Sequence, residues 1–146
     1  MSIPIISPAP PKFRGCLLSQ STGQSIPNST TTVLDFDQPE YDTDGFHENV
    51  LNPERITIPA GVNKVRLYAG LDNVNRNAGL RLYKNGADSF LGRVYGLSYE
   101  WKNNYFTSAV LEVSEGDYFD IRAYQSSGSG QTTNTYGTIF GCEVLG

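Results

Sequence analysis

The sequence contains few of the residues from which metal centres are built. It has two cysteines and one histidine in 146 residues. Cys16 and Cys142 lie near opposite ends of the chain, and His47 is distant from both of them. Protein metal sites need several such ligands held close together. We therefore predict that the chain binds no metal and no cofactor.

Long apolar segments and an excess of positive charge are also missing. No segment approaches the roughly 20 consecutive apolar residues of a membrane-spanning helix. The formal net charge is −4, from 11 basic and 15 acidic residues, whereas contact with nucleic acid or with an anionic membrane surface depends on a basic patch. The N-terminal segment has no basic start and carries prolines where a secretory signal has its apolar core. We expect no nucleic-acid partner, no membrane partner and synthesis in the cytoplasm.

The two cysteines allow two interpretations. They lie in the first and last apolar segments of the chain, so a disulfide between them would close the domain. Free cysteine is also a small apolar side chain that is often buried, and disulfides are rare in proteins that are not secreted. The sequence leaves both interpretations open.

Glycine, proline and aromatic residues are plentiful, with 15 Gly, 8 Pro, 9 Tyr and 7 Phe. This composition is typical of β-proteins with many turns. Alternation of apolar and polar residues is clearest in residues 64–71, where Val65, Leu67 and Ala69 share one face. The candidate strands are residues 14–19, 31–36, 55–58, 64–71, 79–83, 92–97, 105–113 and 137–145. Short strands at regular spacing predict one all-β domain, either a sandwich, a barrel or a jelly roll.

Two turns are predicted with particular clarity. Asn85-Gly86 is the strongest hairpin signal in the chain. Residues 114–117, Ser-Glu-Gly-Asp, lie between two alternating runs, and we predict a second hairpin there. Residues 41–46 are predicted to form a turn that carries two aromatic residues.

The N-terminal segment, residues 1–13, is predicted to be an extended arm, and residues 14–146 to be the folded domain. Prolines punctuate the apolar segment and exclude both a helix and a central strand. An exposed apolar arm docks on a partner or a neighbouring subunit, although a terminus can also be disordered. The candidate anchoring residues are Ile3, Pro4, Ile5, Ile6, Pro8 and Pro10.

A search for reactive groups finds no catalytic set. The densest acidic cluster consists of Asp35, Asp37, Asp42, Asp44 and Glu48. It has no regular calcium-loop spacing, and Asp-rich segments with glycine are ordinary turn sequences. His47 has no nucleophile motif to accompany it, and a lone histidine near a turn is expected at the surface. We predict that the protein is not an enzyme.

Five segments, taken in order, resemble the globular head of the complement one-q family, within the wider tumour-necrosis-factor-like superfamily. They are FDQPEYDTDGFH (36–47), RITIPAGVNKVRLYAGL (55–71), LRLYKNG (80–86), LEVSEGDYFDIRAYQSSG (111–128) and TIFGCEVLG (138–146). The chain departs from the family pattern at Phe46, where tryptophan is common, at Cys142, where an aromatic residue is common, and in having no collagen-like stalk. The resemblance implies an antiparallel jelly-roll sandwich of about ten strands that forms a homotrimer.

Tyrosines in or beside the strands are candidates for the trimer contact. Tyrosine buries a large area while keeping one polar end, and it is enriched at protein interfaces. The alternative is ordinary cross-strand pairing on a solvated face. The candidate interface residues are Tyr68, Tyr83, Tyr118, Tyr124 and Tyr136.

The resemblance also suggests a role. Bacterial chains that are similar to this family and have no stalk are often virion proteins. We therefore expect a phage capsid decoration (cement) protein on the capsid exterior, whose partners are its own copies and the major capsid protein. The alternative is the receptor- or glycan-binding tip of a phage head or tail fibre. In that case Tyr99, Trp101 and Tyr105 would contact a host surface glycan.

Overall fold

The computed structural model describes residues 12–96 and 103–146. In these two ranges there are thirteen strands, and no helix there is long and apolar enough to cross a membrane. Four of the strands are only two residues long, so the number of longer strands agrees with the sequence prediction. The strands are β1 Gly15–Ser19, β2 Ser25–Ile26, β3 Thr32–Val33, β4 Gln38–Asp42, β5 Arg55–Thr57, β6 Lys64–Asp72, β7 Ala78–Lys84, β8 Ala87–Gly96, β9 Asn103–Thr107, β10 Leu111–Glu112, β11 Tyr118–Tyr124, β12 Gln131–Thr132 and β13 Ile139–Val144.

The strands form two main antiparallel sheets. The first sheet has the order β10-β6-β13-β1-β4, and β9 also pairs with β6. The second sheet has the order β3-β11-β7-β8, and β5 also pairs with β11. Strands β2 and β12 form a separate small ribbon. Because the chain passes repeatedly from one sheet to the other, the predicted jelly-roll sandwich is confirmed.

The core lies between the two sheets and is built from alternate residues of each strand. In β6 the inward residues Val65, Leu67 and Ala69 are buried, as the alternation predicted. Four phenylalanines are also buried, and the rings of Phe36 and Phe140 lie 5.7 Å apart. Full burial of one such side chain contributes about 1.5–3 kcal/mol. The core is therefore large enough to fix which residues of each strand face outward.

The predicted hairpin at residues 114–117 is wrong. Strand β10 pairs with β6 in the first sheet, while β11 pairs with β3, β5 and β7 in the second. The turn therefore carries the chain across the sandwich. The Asp117 carboxylate accepts from the Ser114 N–H at 2.9 Å, and the Gly116 N–H donates to the Ile58 carbonyl at 2.9 Å. Alternation on both sides of a turn looks the same whether its strands share a sheet or lie in opposite ones.

Of the two other predicted turns, the one at Asn85-Gly86 is present and the one at residues 41–46 is shorter than predicted. Strands β7 and β8 form the predicted hairpin, in which Asn85 and Gly86 have φ angles of 52° and 86°. Two positive φ angles in a row are the signature of the type I′ turn. The predicted turn at residues 41–46, however, begins only after Asp42, because Tyr41 lies in β4 and pairs with Leu17.

The predicted strand 105–113 is interrupted at Ser108. The Ser108 N–H donates to the Leu67 carbonyl at 2.7 Å, and its Oγ accepts from the Leu67 N–H at 2.9 Å. Ser108 therefore uses its side chain as well as its backbone to bond Leu67. Strands β9 and β10 pair with the same edge of β6, one before Ser108 and one after it.

Strand β8 forms one end of the second sheet and contains a bulge. The register against β7 shifts between Arg81 and Tyr83. Phe90 has a φ of 58° and is 72% exposed, which is an unusual conformation for a bulky residue. The Ser89 hydroxyl donates to the Leu82 carbonyl at 2.7 Å and holds the bulge in place.

Cys16 and Cys142 are directly opposite each other in β1 and β13, and both thiols are buried and free. Their Sγ atoms lie 3.9 Å apart. The hydrogen bond with Cys142, together with burial, raises the pKa of Cys16. The structure therefore agrees with the interpretation of Cys16 and Cys142 as two small buried side chains, and not with a disulfide.

The crossing turn predicts a specific pH dependence of stability. Hydrogen bonds from the Ser114 N–H and from Asn85 lower the pKa of Asp117 in the folded state. The resulting stabilisation is present above the unfolded pKa of about 3.9 and is lost as the pH falls through the folded value. We expect Asp117→Asn to lower the free energy of unfolding by about 0.5–1 kcal/mol at pH 7, a small value because the carboxylate is partly open to solvent.

Urea unfolding at pH 7 and at pH 2.5 measures this effect. The difference between wild type and Asp117→Asn should shrink at the lower pH. Glu115→Gln, in the same turn and exposed, is the matched control and should have little effect at either pH. An Asp117→Asn effect of equal size at both pH values would contradict the assignment.

Candidate functional site

The outward side of the first sheet carries aromatic rings that lie flat over glycines. Tyr68 in β6 is directly opposite Gly141 in β13. A Cβ atom placed on Gly141 would lie 2.4 Å from the Tyr68 ring and 2.5 Å from its hydroxyl oxygen. The ring therefore occupies the space that any larger residue would need, and Gly141 is the residue that permits this packing.

Tyr105 in β9 repeats the arrangement. It is directly opposite Gly70, and a Cβ atom there would lie 2.3 Å from the tyrosine ring. A Cβ atom on Gly137 would lie 2.7 Å from the Tyr105 hydroxyl oxygen. Aromatic side chains that cover glycines restore the packing that the glycines lack in a sheet.

Two further rings extend this surface. The hydroxyl groups of Tyr41 and Tyr68 are 3.3 Å apart, and the Tyr68 hydroxyl donates to the Cys16 carbonyl at 3.3 Å. The Phe13 ring meets Tyr41 edge to face, with centroids 5.5 Å apart. We call the set Phe13, Tyr41, Tyr68 and Tyr105 the aromatic face.

The four side chains of the aromatic face carry no formal charge, and the Arg66–Glu143 ion pair lies beside Tyr68 on the same side of the sheet. Burial, followed by the hydrogen bond with Tyr41, raises the pKa of Tyr68. Burial also raises the pKa of Tyr105, although half of this side chain is exposed, at 50%. Neutral aromatic residues are the composition found at the centre of protein interfaces.

The five tyrosines predicted at the trimer contact do not share one face. Tyr68 lies on the first sheet, whereas Tyr83, Tyr118 and Tyr124 point outward from the second sheet. Tyr136 is 93% exposed, between β12 and β13. A threefold contact joins two different patches of each subunit, so tyrosines on different sides of the subunit are compatible with the prediction.

Two of these tyrosines have partners within the subunit. The guanidinium of Arg122 lies 3.9 Å from the ring centroid of Tyr83, and that of Arg55 lies 3.9 Å from that of Tyr118. Such stacking contributes about 0.5–1 kcal/mol at exposed sites. It also gives Tyr83 and Tyr118 a role that requires no second subunit.

Other predicted contact residues lie outside the described part of the chain. Tyr99 and Trp101 of the proposed glycan-contact segment are two of them. Tyr105, the third residue of that segment, is described and belongs to the aromatic face. Also outside the described part are the candidate anchoring residues Ile3, Pro4, Ile5, Ile6, Pro8 and Pro10.

Four carboxylates of the acidic cluster, those of Asp37, Asp42, Asp44 and Glu48, accept hydrogen bonds within the fold. Asp42 accepts from the backbone N–H groups of Gly45, Phe46 and His47 at 2.8–3.0 Å. Hydrogen bonds from Arg14, at 3.0 Å for its Nε, lower the pKa of Asp44. Within residues 12–96 and 103–146 no three His, Cys, Asp or Glu side chains are grouped to hold a metal.

His47 is not the surface residue that the sequence suggested. Its Nδ1 lies 2.8 Å from the Arg55 carbonyl oxygen, and its Nε2 lies 2.8 Å from the Phe36 carbonyl oxygen. The half-buried ring therefore joins two separate segments of backbone. With both nitrogens against backbone oxygens, it is not placed to act as a general base.

The two sheets and the connections between them define a two-layer jelly roll. No family model matches the chain, and no curated protein matches it. Solved structures do match. Murine APRIL is 16% identical, with a TM-score of 0.69 over 92% of this chain and 100% of its own.

Two other similar structures extend the comparison. The globular domain of zebrafish complement 1qA is 13% identical, with a TM-score of 0.58 over 91% of this chain and 98% of its own. Eiger TNF from S. frugiperda is 16% identical, with a TM-score of 0.50 over 92% of this chain and 93% of its own. The chain therefore has the TNF-like and C1q-like jelly-roll fold, which agrees with the fold that the sequence resemblance implied.

The packing of Tyr68 on Gly141 predicts a strong coupling between the two positions. Gly141→Ala should lower the free energy of unfolding by about 1–3 kcal/mol, because the new methyl group overlaps the tyrosine ring. In a Tyr68→Ala background the same substitution should cost much less, since the ring is gone. A double-mutant cycle measured by urea unfolding gives the coupling.

Gly130→Ala is the matched control, because a Cβ atom there would lie 4.0 Å from its nearest neighbours. It should change stability little in either background. An equal cost of Gly141→Ala with and without Tyr68 would contradict the described packing.

Proposed function

We propose that the protein is a homotrimeric structural module that assembles through its aromatic face. The observation that carries the proposal is the neighbouring, largely exposed aromatic set Phe13, Tyr41, Tyr68 and Tyr105. Exposed apolar patches of this kind mark interaction sites. The TNF-like and C1q-like fold of the chain supports a threefold assembly.

We further propose that the trimer decorates the exterior of a virion capsid, with residues 1–13 as its anchor on the major capsid protein. The described chain starts at Lys12, and Phe13 packs against Tyr41. Residues 1–11 are therefore joined to the described domain beside the aromatic face. The role is mechanical: apolar contact at about 25 cal/mol per Å² of buried surface holds the copies on the shell.

A non-enzymatic role fits the acidic residues and the histidine, which the fold uses for its own turns. The second candidate is a receptor- or glycan-binding tip of a head or tail fibre. It is favoured by a groove of about 480 Å³ on the outer side of the second sheet.

The trimer proposal predicts that charge on the aromatic face prevents assembly. Tyr105→Glu should shift the mass measured by multi-angle light scattering from three subunits to one at micromolar concentration, because an ionised carboxylate cannot be buried unpaired. Tyr95→Glu on the second sheet is the control. Tyr95 is 60% exposed, close to the 50% of Tyr105, and its variant should stay trimeric.

Circular dichroism should give the same β spectrum for both variants. A wild-type monomer at micromolar concentration, or a trimer that survives Tyr105→Glu, would argue against assembly through this face.

The decoration proposal predicts that the arm is needed for binding to the capsid but not for trimer formation. Removal of residues 2–11 should leave the light-scattering mass at three subunits, because the aromatic face is intact. Occupancy of purified capsids, measured by co-sedimentation, should fall to background. Full occupancy by the truncated trimer would exclude the arm as the anchor and would leave the trimer proposal standing.

A further inference from the structure

The outer side of the second sheet contains a groove. The strand pairing decides which side chains lie next to each other in it. The groove has a volume of about 480 Å³ and is lined by residues of β7, β8 and β11, with Thr31 at one side. It lies on the opposite sheet from the aromatic face.

Three arginines cross the groove in a single row. Arg122 in β11 is directly opposite Arg81 in β7, and Arg81 is directly opposite Arg93 in β8. Neighbouring strands are about 4.8 Å apart, and like charges placed directly opposite each other destabilise a sheet. Three arginines that start in one row are therefore costly for the fold alone and can pair with a bound anion. The guanidinium of Arg122 also stacks on Tyr83 at 3.9 Å, and that of Arg93 on Phe90 at 4.8 Å.

In the described part of the chain, two aspartates pair with this row. Asp120 pairs with Arg122 at 2.9 Å. Asp88 serves both of the others, at 3.2 Å from Arg93 and 3.6 Å from Arg81. Among the described residues, two carboxylates thus face three guanidinium groups, each with five N–H donors. Within this part of the chain, one positive charge and several donors are left for a ligand.

Aromatic rings border the groove one position further along the same face. Tyr124 and Tyr95 lie on either side of Gly79, each directly opposite it in register. A Cβ atom on Gly79 would lie 2.5 Å from the Val94 carbonyl oxygen and 3.1 Å from the Tyr95 ring. The Tyr95 ring therefore packs against Gly79, and Tyr124 starts on the other side of it; the backbones of the two tyrosines are two strand spacings, or about 9.6 Å, apart.

We propose that this groove binds an acidic sugar, with the carboxylate or sulfate group on Arg81 and Arg93 and the sugar ring between Tyr95 and Tyr124. Guanidinium groups pair with such anions through two parallel hydrogen bonds, and tyrosine rings pack against the apolar face of a sugar ring. The row is short and the whole chain carries a net charge of −4, which disfavours a nucleic-acid backbone as the ligand. The inference goes beyond the trimer and capsid proposals and does not depend on them, since the groove lies within one subunit.

Binding of trigalacturonate, a uronic-acid oligosaccharide, tests this inference. Isothermal titration calorimetry should detect binding of trigalacturonate to the full chain and none of maltotriose, its uncharged counterpart. Arg81→Gln and Arg93→Gln should each weaken trigalacturonate binding about tenfold, the loss expected for one charge-assisted contact. Tyr95→Ala should weaken it by a similar factor, because the sugar ring loses its support.

Lys84→Gln is the matched control. Lys84 is in the same strand as Arg81, pairs with Asp117 at 3.7 Å and lies outside the groove. The substitution removes the same charge and should leave affinity within about twofold. Arg122 is not substituted, because its partner Asp120 is buried and would lose its counter-charge.

Four outcomes would overturn the inference. They are no binding of trigalacturonate to wild type, equal binding of maltotriose, a Lys84→Gln effect as large as that of Arg93→Gln, and tighter binding of a single-stranded oligonucleotide than of trigalacturonate. A further such outcome is that sodium sulfate displaces trigalacturonate while Tyr95→Ala leaves the affinity for trigalacturonate unchanged. That result would show a simple anion site and would also overturn the inference. If the glutamine variants unfold, Arg93→Lys, which keeps the charge and loses the paired geometry, decides the same question.

Discussion

The shared core between the two sheets is the constraint on which the other features of this protein depend. A strand in a two-layer sandwich has one buried side, and a shift of one residue would move its buried side chains to the solvent. Leu67 and Phe140 in one sheet, and Leu80 and Ile121 in the other, are fully buried. Their burial fixes the register of every pair of neighbouring strands. The register then decides which outward side chains meet.

Both surface features follow from that register. Tyr68 covers Gly141, and Tyr105 covers Gly70, because these pairs are directly opposite each other. The arginine row exists for the same reason, although its members come from three strands. Neither surface is held by its own interactions alone. Both are consequences of packing on the other side of the same strands.

The sequence predicts the parts of the fold that are local. The alternation in residues 64–71 and the Asn85-Gly86 hairpin are both present. The five segments in their order are enough to indicate a jelly roll. The failure at residues 114–117 has a different origin, because the partner of a strand is decided by distant residues. The break at Ser108 depends on Leu67 in the same way.

The candidate surfaces are only partly predictable from the sequence. Tyr68 and Tyr105 stand out as contact residues, but the glycines beneath them cannot be connected with them without the strand pairing. Tyr41 has aspartates around it that favour a turn, yet it lies in β4. Arg81, Arg93 and Arg122 are scattered in the sequence as ordinary surface charges. Only the pairing of β7 with both of its neighbours makes them a group.

The bulge at Phe90 has a consequence for how the molecules can associate. The outermost strand of an open sheet exposes unpaired N–H and C=O groups, and these can recruit the same edge of another copy into fibrils. A residue with positive φ breaks that row and twists the strand away from a flat partner. In β8 the break falls at Ser89 and Phe90. The local backbone conformation at this bulge therefore works against growth of an endless cross-β stack from this edge.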